Sequence, residues 1–385
     1  MVTPITFMWN IIQICNGFSS NSFYRDFFVE LHHLGLKQTI IAPIRSKTQF
    51  KQNNIELRNF RVLYPFIVRS IWDRVFFRRK LRKTIQYVTN NVDLSSLNFC
   101  HAHTLFSDGG VAYELNKKYG VPYIVAVRNV DVNYFLRYAF FLRKYGLEIL
   151  EHALKVVFIS NVYPSYLKNY YPNWFKNNRS KIAFISNGVN DFWIKNLNKK
   201  KMLGSQGFKL IYFGDFNSNK NIESIIFSVK RLRSLGIDIS LKAIGLGRNN
   251  EQKHYVSFLQ SLAKEDNFCL VSAMTKEHLL KELQVADAFI MVSHMETFGL
   301  AYVEALSQGL PIIYTRGQGI DETFPDGFVG KATSSNDIDE ICEAILYVKR
   351  SYDILVENIS QISFEQKFSW SGIAKSYYDI YAGFF

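Results

Sequence analysis

The stretch HMETFGLAYVEALSQGLPIIYT places two carboxylates, Glu296 and Glu304, on either side of an apolar run that contains a glycine. Eight positions, or about two helical turns, separate the two side chains. This spacing would allow the two carboxylates to bind the two sides of one ligand that carries an anionic group in its middle. One carboxylate would meet a hydroxyl-rich group beside the anion, and the other would meet a pair of hydroxyls on the opposite side. A sugar and a ribose satisfy this geometry. The alternative is that Glu296 interacts with a helix dipole and that Glu304 is a solvated helix residue.

The elements that position these glutamates are predicted from the longer stretch DAFIMVSHMETFGLAYVEALSQG. It predicts a buried strand, a loop that contains Glu296, and a helix that contains Glu304 and ends at Gly309 and Pro311. Free N–H groups at a helix start bind anions, and a glycine lets the ligand approach closely. A diphosphate fits a site formed by the backbone N–H groups of Thr297, Phe298, Gly299 and Leu300.

Apolar strand-like runs alternate with helix-like segments along the chain. They are IIQIC, QTIIAP, NFCHAH, YIVAVR, KVVFIS and KIAFIS, followed by KLIYFG, LKAIGLG, NFCLVS, DAFIMVS and PIIYT. Such alternation predicts parallel sheets with helices on both faces. The rhythm stops in the polar, lysine-rich passage NGVNDFWIKNLNKKKMLGSQGF, which predicts an inter-domain linker. The predicted fold class is α/β, with two doubly wound domains and a ligand cleft at the carboxyl ends of both sheets.

The predicted boundaries are an N-terminal domain over 1–190, a linker over 191–206, a C-terminal domain over 207–365, and a helix over 366–385 that packs back on the first domain. The chain has 385 residues, and no apolar run approaches the roughly 20 residues of a membrane span. No cleavable signal is evident, so a cytosolic protein is expected. The cysteines form no CxxC pair and are expected to be buried thiols: Cys15, Cys100, Cys269 and Cys342.

Charge is unevenly distributed between the two halves. Residues 1–190 contain 25 Lys/Arg and 10 Asp/Glu (25 − 10 = +15), whereas the remainder contains 21 and 23 (21 − 23 = −2). Only the first half is therefore expected to meet an anionic surface, such as a membrane leaflet, a phosphorylated lipid or a nucleic acid.

The stretch around Glu296 and Glu304 resembles the Glu-x7-Glu signature of retaining GT-B glycosyltransferases of glycosyltransferase family 4. The segment FGDFNSNKNIESIIFSVKRLRSLGIDISLKAIGLG is similar to the family's phosphate-strand region, and SNGVN to its interdomain turn. FCHAHTLFSDGGVAYELNKKYGVPYIVAVRNVDVN has the look of its N-terminal domain. The resemblance implies two Rossmann-like domains, a nucleotide-sugar donor held mainly by the second domain, and an acceptor held mainly by the first.

The resemblance also implies roles for single residues. Glu296 would contact the transferred sugar, Glu304 the ribose, and the amides of Thr297 to Leu300 the diphosphate. Lys220 would neutralise the leaving phosphate next to Gly214. Asp215 stands where the family usually has an arginine, so one customary phosphate cation is missing.

The first half offers one candidate for that missing cation and a second possible contact with the donor phosphate. Arg128 follows a predicted buried strand, and its guanidinium is suited to gripping phosphate oxygens. The alternative is that Arg128 pairs with Asp131. Gly17, in NGFSSNS, lies in a turn that resembles the family's donor-phosphate loop.

The acceptor is expected to contact His103, Asn129 and Asp131 in the first domain. His101 and His103 would share one face of a strand, but they lack neighbouring carboxylates or thiols at metal-ligand spacing. We therefore expect His103 to bind or deprotonate an acceptor hydroxyl. We expect no metal and no cofactor.

The stretch RNFRVLYPFIVRSIWDRVFFRRKLRKTIQYV contains nine Lys/Arg and one acidic residue, Asp73. Aromatic side chains interleave with these cations, as they do again in NYFLRYAFFLRKYG. This pattern favours a bilayer interface, although a core helix with a solvated basic face is an equal alternative. The aromatic residues are Phe60, Tyr64, Phe66, Trp72, Phe76, Phe77 and Tyr87, and the basic cluster is Arg78, Arg79, Lys80, Arg82 and Lys83.

The resulting prediction is a retaining glycosyltransferase of the hexosyltransferase type. It would use a UDP-sugar, or a GDP-sugar, and a lipid-linked glycan acceptor in the synthesis of capsule, exopolysaccharide or O-antigen. It would be cytoplasmic or peripheral on the inner face of the cell membrane. Two alternatives remain: a nucleotide-sugar epimerase of GT-B shape, and a non-catalytic protein that binds RNA or acceptor through its basic half.

Overall fold

The computed structural model describes residues 9–67, 77–198, 207–247, 249–265 and 267–384. Trp72, Phe76 and residues 199–206 of the predicted linker lie outside this part of the chain.

Two compact units make up the chain. Unit 1 comprises Met1–Ile159, Tyr163–Gly188 and Trp370–Phe385. Unit 2 comprises Ser160–Val162 and Val189–Ser369. Each unit is built on one parallel sheet, and each sheet has its own hydrophobic core.

Unit 1 contains a seven-stranded parallel sheet in the order β3-β2-β1-β4-β5-β6-β7. Every residue of the neighbouring strands β4 and β5 is buried, as expected for strands with helices on both faces. The strand order reverses between β1 and β4, and ligands of such sheets bind at the carboxyl ends of the strands at this switch point. The strands are β1 (Trp9–Ile14), β2 (Leu36–Ile41), β3 (Phe60–Leu63), β4 (Phe99–Ala102), β5 (Tyr123–Val127), β6 (Lys155–Phe158) and β7 (Ile182–Phe184).

The helices of unit 1 come from two separate parts of the chain. The α-helices longer than one turn are α1 (Phe23–His33), α2 (Phe77–Asn91), α3 (Ser107–Tyr119), α4 (Arg143–His152), α5 (Tyr163–Tyr170), α6 (Pro172–Asn177) and α15 (Trp370–Ala382), which is numbered after the helices of unit 2. Helix α15 packs against α1, where Trp370 and Tyr377 contact Phe27.

Unit 2 contains a six-stranded parallel sheet in the order β10-β9-β8-β11-β12-β13, so its switch point lies between β8 and β11. The strands are β8 (Phe208–Phe213), β9 (Ile239–Gly245), β10 (Phe268–Ser272), β11 (Ala288–Met291), β12 (Ile312–Thr315) and β13 (Gly330–Thr333). The helices are α7 (Asp191–Lys195), α8 (Ile222–Ser234), α9 (Asn250–Leu262), α10 (Lys276–Val285), α11 (Leu300–Leu306), α12 (Ile338–Arg350), α13 (Tyr352–Ser360) and α14 (Phe364–Phe368).

The two parallel sheets confirm the predicted class of two doubly wound α/β domains. The expectation of buried thiols is right for Cys15, Cys100 and Cys342 but wrong for Cys269, which is exposed. Cys269 lies on β10, which is an edge strand of its sheet. Its side chain is therefore less covered than those of central strands.

Candidate functional site

An ion pair between Lys220 and Glu296 lies at the switch point of the unit 2 sheet. Lys220 follows β8 and Glu296 follows β11, and these two strands are neighbours. The Lys220 Nζ atom lies 2.6 Å from Glu296 Oε2, and the two side chains are only 20% and 12% exposed. The second carboxylate oxygen, Oε1, accepts the backbone N–H of Thr297 at 3.0 Å. The structure therefore brings together two residues that the sequence predicted for one site.

Asparagines fix the loop that carries Lys220, and the sequence reasoning missed them. The side chain of Asn217 accepts the N–H of Lys220, and that of Asn219 both donates to and accepts from the backbone of Met295. The buried Asn221 donates to the carbonyls of Val292 and Ser335. The signal was the run NSNKN, because asparagine side chains bond to nearby backbone groups in turns.

Gly299 shapes the turn between Glu296 and α11. Its φ is +80°, in the left-handed region, and a Cβ there would lie 2.4 Å from Cδ2 of Tyr302. Only glycine therefore fits without strain. Helix α11 begins at the next residue, Leu300. The diphosphate contacts expected of Thr297 to Leu300 stay a prediction.

Glu304 lies on α11, and burial raises the pKa of its carboxyl to about 7. Trp193, on α7, and the positive charge of Lys276 both act to lower this pKa. The ribose contact expected of Glu304 stays a prediction.

Gly214 follows β8, and the hydroxyl of Tyr212 donates to the carbonyl of the next residue, Asp215, at 2.9 Å.

His103 is fully buried in unit 1. Its Nε2 atom lies 2.9 Å from Oε1 of Gln13, and its ring lies 4.0 Å from that of His101. Burial lowers the pKa of His103 well below its usual range, so the ring is neutral. The expectation that His103 contacts the acceptor does not fit this geometry, because the ring belongs to the core beneath α1 and presents no exposed surface.

Arg128 and Asp131 lie after β5, but not as the ion pair considered from the sequence. The Arg128 guanidinium donates to the carbonyl of His103 at 3.2 Å and to Oδ1 of Asn187 at 2.8 Å. The Asp131 carboxylate accepts three backbone N–H groups, including that of Arg128 at 2.9 Å. Burial raises the pKa of Asp131 to about 7, although these donors oppose the shift. The phosphate role of Arg128 stays a prediction.

The remaining residues predicted for unit 1 lie on loops at the carboxyl edge of its sheet. Gly17 follows β1, and its carbonyl accepts the side-chain amide of Asn21 at 3.0 Å. Asn129 accepts the side-chain amide of Asn133 at 3.0 Å. Among the described residues, no group of three or more His, Cys, Asp or Glu side chains is arranged to bind a metal ion. Independence from metal stays a prediction.

Comparison with known proteins gives two family matches. The glycosyltransferase family 4 profile matches residues 21–191, and the profile of glycosyl transferases group 1 matches residues 194–365. Together these ranges cover most of the chain. Individual curated relatives also match this chain. An uncharacterized glycosyltransferase of Methanocaldococcus jannaschii is 26% identical over 76% of this chain and 78% of its own length.

Two other relatives match over shorter stretches. A probable sucrose-phosphate synthase of Thermosipho melanesiensis is 27% identical over 56% of this chain. The lipopolysaccharide 1,2-N-acetylglucosaminetransferase of Salmonella typhimurium is 24% identical over 47% of it. This chain spans half the length of each of these two relatives.

Solved structures share the fold along the whole chain. A sucrose-phosphate synthase of Thermosynechococcus elongatus has a TM-score of 0.74 at 18% identity and covers 98% of this chain and 99% of its own. The Anabaena HepE protein in complex with UDP has a TM-score of 0.69 at 12% identity, with 98% and 100% covered. These likenesses show that this chain has the GT-B fold.

Proposed function

This chain belongs to the glycosyltransferases, with a family 4 domain followed by a group 1 domain, and on that premise we propose a reaction for it. The chain transfers a sugar, with retention at the anomeric carbon, from a nucleotide diphosphate sugar to a hydroxyl of a lipid-linked glycan. The favoured donor is a UDP-sugar, in line with the HepE structure in complex with UDP-glucose. A GDP-sugar is the second choice. The product belongs to a cell-surface polysaccharide.

The observation that carries this proposal is the Lys220–Glu296 ion pair at the switch point of unit 2. When donor binds, Lys220 turns to the diphosphate, and the Glu296 carboxylate accepts hydroxyls of the sugar. The acceptor oxygen bonds to the anomeric carbon while the bond from that carbon to the phosphate oxygen breaks. The leaving phosphate takes the acceptor proton on the same face. The Lys220 ammonium at the leaving oxygens stabilises the charge that develops there.

The acceptor proposal rests on a basic groove in unit 1. The groove has a volume of about 870 Å³, and its lining combines four cationic side chains with apolar ones. The neighbouring side chains of Phe140 and Phe141 are 71% and 70% exposed. Cations beside exposed aromatic rings suit the boundary between anionic headgroups and acyl chains. The lining residues are Phe77, Arg78, Arg79, Arg82, Lys83, Gln86, Phe141 and Leu142.

We therefore propose that unit 1 contacts the inner membrane face through this groove and receives an acceptor whose lipid anchor carries phosphate. The relative named as a lipopolysaccharide glycosyltransferase supports this acceptor class. None of the helices among the described residues has the length and apolar character that a membrane span requires.

The donor is tested with the full chain and a panel of nucleotide sugars in a thermal-shift assay. A ligand that binds only the folded state raises the Tm, and we expect UDP-sugars to raise it most. The best donor is then incubated with a lipid extract of the source cells, with and without EDTA. We expect retained anomeric configuration in the product and the same rate with EDTA.

Three outcomes would overturn this proposal. Strict dependence on Mg²⁺ or Mn²⁺ would contradict a diphosphate site built from side chains and amides. Conversion of the donor to a second nucleotide sugar without any acceptor would favour the epimerase. Salt-sensitive RNA binding without any donor binding would favour the non-catalytic alternative.

Membrane contact is tested by co-sedimentation with vesicles of phosphatidylcholine, alone or mixed equally with phosphatidylglycerol. Replacing Arg78 and Arg82 with Gln should weaken binding to the anionic vesicles roughly tenfold or more, because each interfacial cation contributes about 1 kcal/mol. The matched control replaces Lys253 and Lys281, two exposed cations of unit 2, with Gln. Equal losses in the two variants would show that only net charge matters.

A further inference from the structure

A loop over residues 316–324, which follows β12, lies directly behind Glu296. The side-chain oxygen of Gln318 accepts the backbone N–H of Glu296 at 3.1 Å. Gly319 has a φ of +54°, and a Cβ there would lie 2.8 Å from Cγ of Glu296. The loop therefore contacts both the backbone and the side chain of Glu296, and its position sets the position of that carboxylate.

Ser160 and Asn161 form hydrogen bonds with this loop. Ser160–Val162 belongs to unit 2, although the chain on either side of it belongs to unit 1. The Ser160 hydroxyl is buried and donates to the carbonyl of Gly319 at 2.6 Å. The side-chain amide of Asn161 donates to the carbonyl of Glu322 at 2.7 Å.

The second of these contacts lies on a strained residue. Glu322 has a φ of +60°, which is uncommon for a residue that carries a side chain. Such a conformation persists only where surrounding contacts maintain it. Asn161 supplies one such contact, so the two hydrogen bonds fix the loop at Gly319 and at Glu322.

We propose that Ser160 and Asn161 are positioning residues for Glu296. They do not touch the sugar, and they act by fixing the loop that supports the carboxylate. The catalytic consequence rests on the proposed function, because it requires Glu296 to contact the transferred sugar. The positioning itself does not depend on that role and can be measured without any substrate.

The competing explanation is that Ser160 only stabilises its own turn, where its hydroxyl also accepts the N–H of Val162 at 3.4 Å. A local role predicts no change around Glu296 when the hydroxyl is removed. The two explanations are therefore separated by a measurement made on residues 294–300.

The test is amide hydrogen exchange of the full chain, followed by mass spectrometry of peptides that cover 294–300. Ser160→Ala and Asn161→Ala should each exchange faster there than the wild type, by about fivefold, as expected for the loss of one hydrogen bond. The matched control is Ser228→Ala, which removes a buried hydroxyl that donates to a helix carbonyl at 2.8 Å elsewhere in unit 2. Unchanged exchange of 294–300 in both variants would overturn the proposal.

A kinetic arm applies once the thermal-shift panel has supplied a donor. We expect Asn161→Ala, whose side chain is partly exposed, to fold normally and to lower kcat about fivefold with little change in donor KM. Ser160→Thr retains the hydroxyl and should stay closer to the wild type than Ser160→Ala. Faster exchange without any donor turnover would retain the positioning and reject the proposed function. A change in KM alone would reject positioning of the reacting sugar.

Discussion

Lys220 and Glu296 form an ion pair, with 2.6 Å between Nζ and Oε2, in a site where both side chains are largely buried. A charge at such a site is costly without its partner, because desolvation is not repaid. Each residue therefore stabilises the other, and donor binding has to replace their bond by contacts of comparable strength. In the proposed reaction, a diphosphate at Lys220 and sugar hydroxyls at Glu296 would supply that replacement.

This exchange of partners leads to a prediction for the two glutamates. Glu296→Gln should lower the transfer rate tenfold or more, because a hydrogen bond to a charged group is worth about 1.5 to 3 kcal/mol. It should not weaken binding of UDP, since it removes the carboxylate that competes for Lys220. Glu304→Gln should mainly weaken UDP binding, because its expected partner is the ribose.

Isothermal titration with UDP and initial-rate kinetics with the best donor measure these effects. Glu357→Gln changes an exposed carboxylate on α13 and serves as the matched control. Full activity in both site variants would mean that neither glutamate contributes to catalysis or donor binding.

At the scale of elements, the loop over residues 316–324 has little room for a side chain at Gly319. Gly319→Ala would place a methyl group 2.8 Å from Cγ of Glu296 and 2.9 Å from the carbonyl oxygen of Phe298. We expect a rate loss of tenfold or more, because the methyl group displaces the carboxylate.

Gly236→Ala is a suitable control for that variant. Gly236 also has a positive φ, of +81°, but a Cβ there would meet nothing within 4 Å. Both variants therefore carry backbone strain, and only Gly319→Ala displaces Glu296. If the two variants lose activity equally, the effect comes from backbone strain and not from displacement of the carboxylate.

The sequence predicted the elements of this fold where burial leaves a strong pattern. The central strands β5 and β11 are continuous apolar runs, β4 departs from one only at His101, and all three were predicted. Two strands, β3 and β13, were missed. Each is an edge strand of four residues in which a charged side chain, Arg61 or Lys331, interrupts the apolar run.

The candidate site was predictable to a lesser degree. Glu296 and its loop were found because a local strand–loop–helix pattern carries the signal. The bond from Lys220 was not predicted, because it joins residues 76 positions apart through the adjacency of β8 and β11. His103 was expected to contact the acceptor because alternation assigns it to the same face as His101, but both faces of β4 are covered and His103, just after this strand, is fully buried.

At the scale of the molecule, unit 1 depends on the last helix of the chain. The buried residues of α15 are Trp370, Ile373, Ala374, Tyr377 and Tyr381. Burial of a large apolar side chain contributes about 1.5 to 3 kcal/mol, and domains are stable by only about 5 to 15 kcal/mol. Removing residues 370–385 should therefore unfold unit 1, while unit 2 retains its core.

Hydrogen exchange measured separately on peptides of the two units checks this expectation. Unit 1 peptides should lose protection in the truncated chain, and unit 2 peptides should keep it. The control ends after Ala382 and retains the whole of α15. Equal loss of protection in both units would mean that they unfold as one cooperative body.

The interrupted course of unit 1 also orders its assembly during synthesis. A ribosome delivers the seven strands of its sheet before residue 185, and the helix that covers α1 only after residue 369. All of unit 2 except Ser160–Val162 is made in between, and this unit is able to fold first. The apolar surface that α15 will cover, around Phe27 and Phe99, therefore stays open to solvent until residues 370–382 have been made. Nascent chains of this protein are accordingly expected to need a chaperone on the first unit, and not on the second.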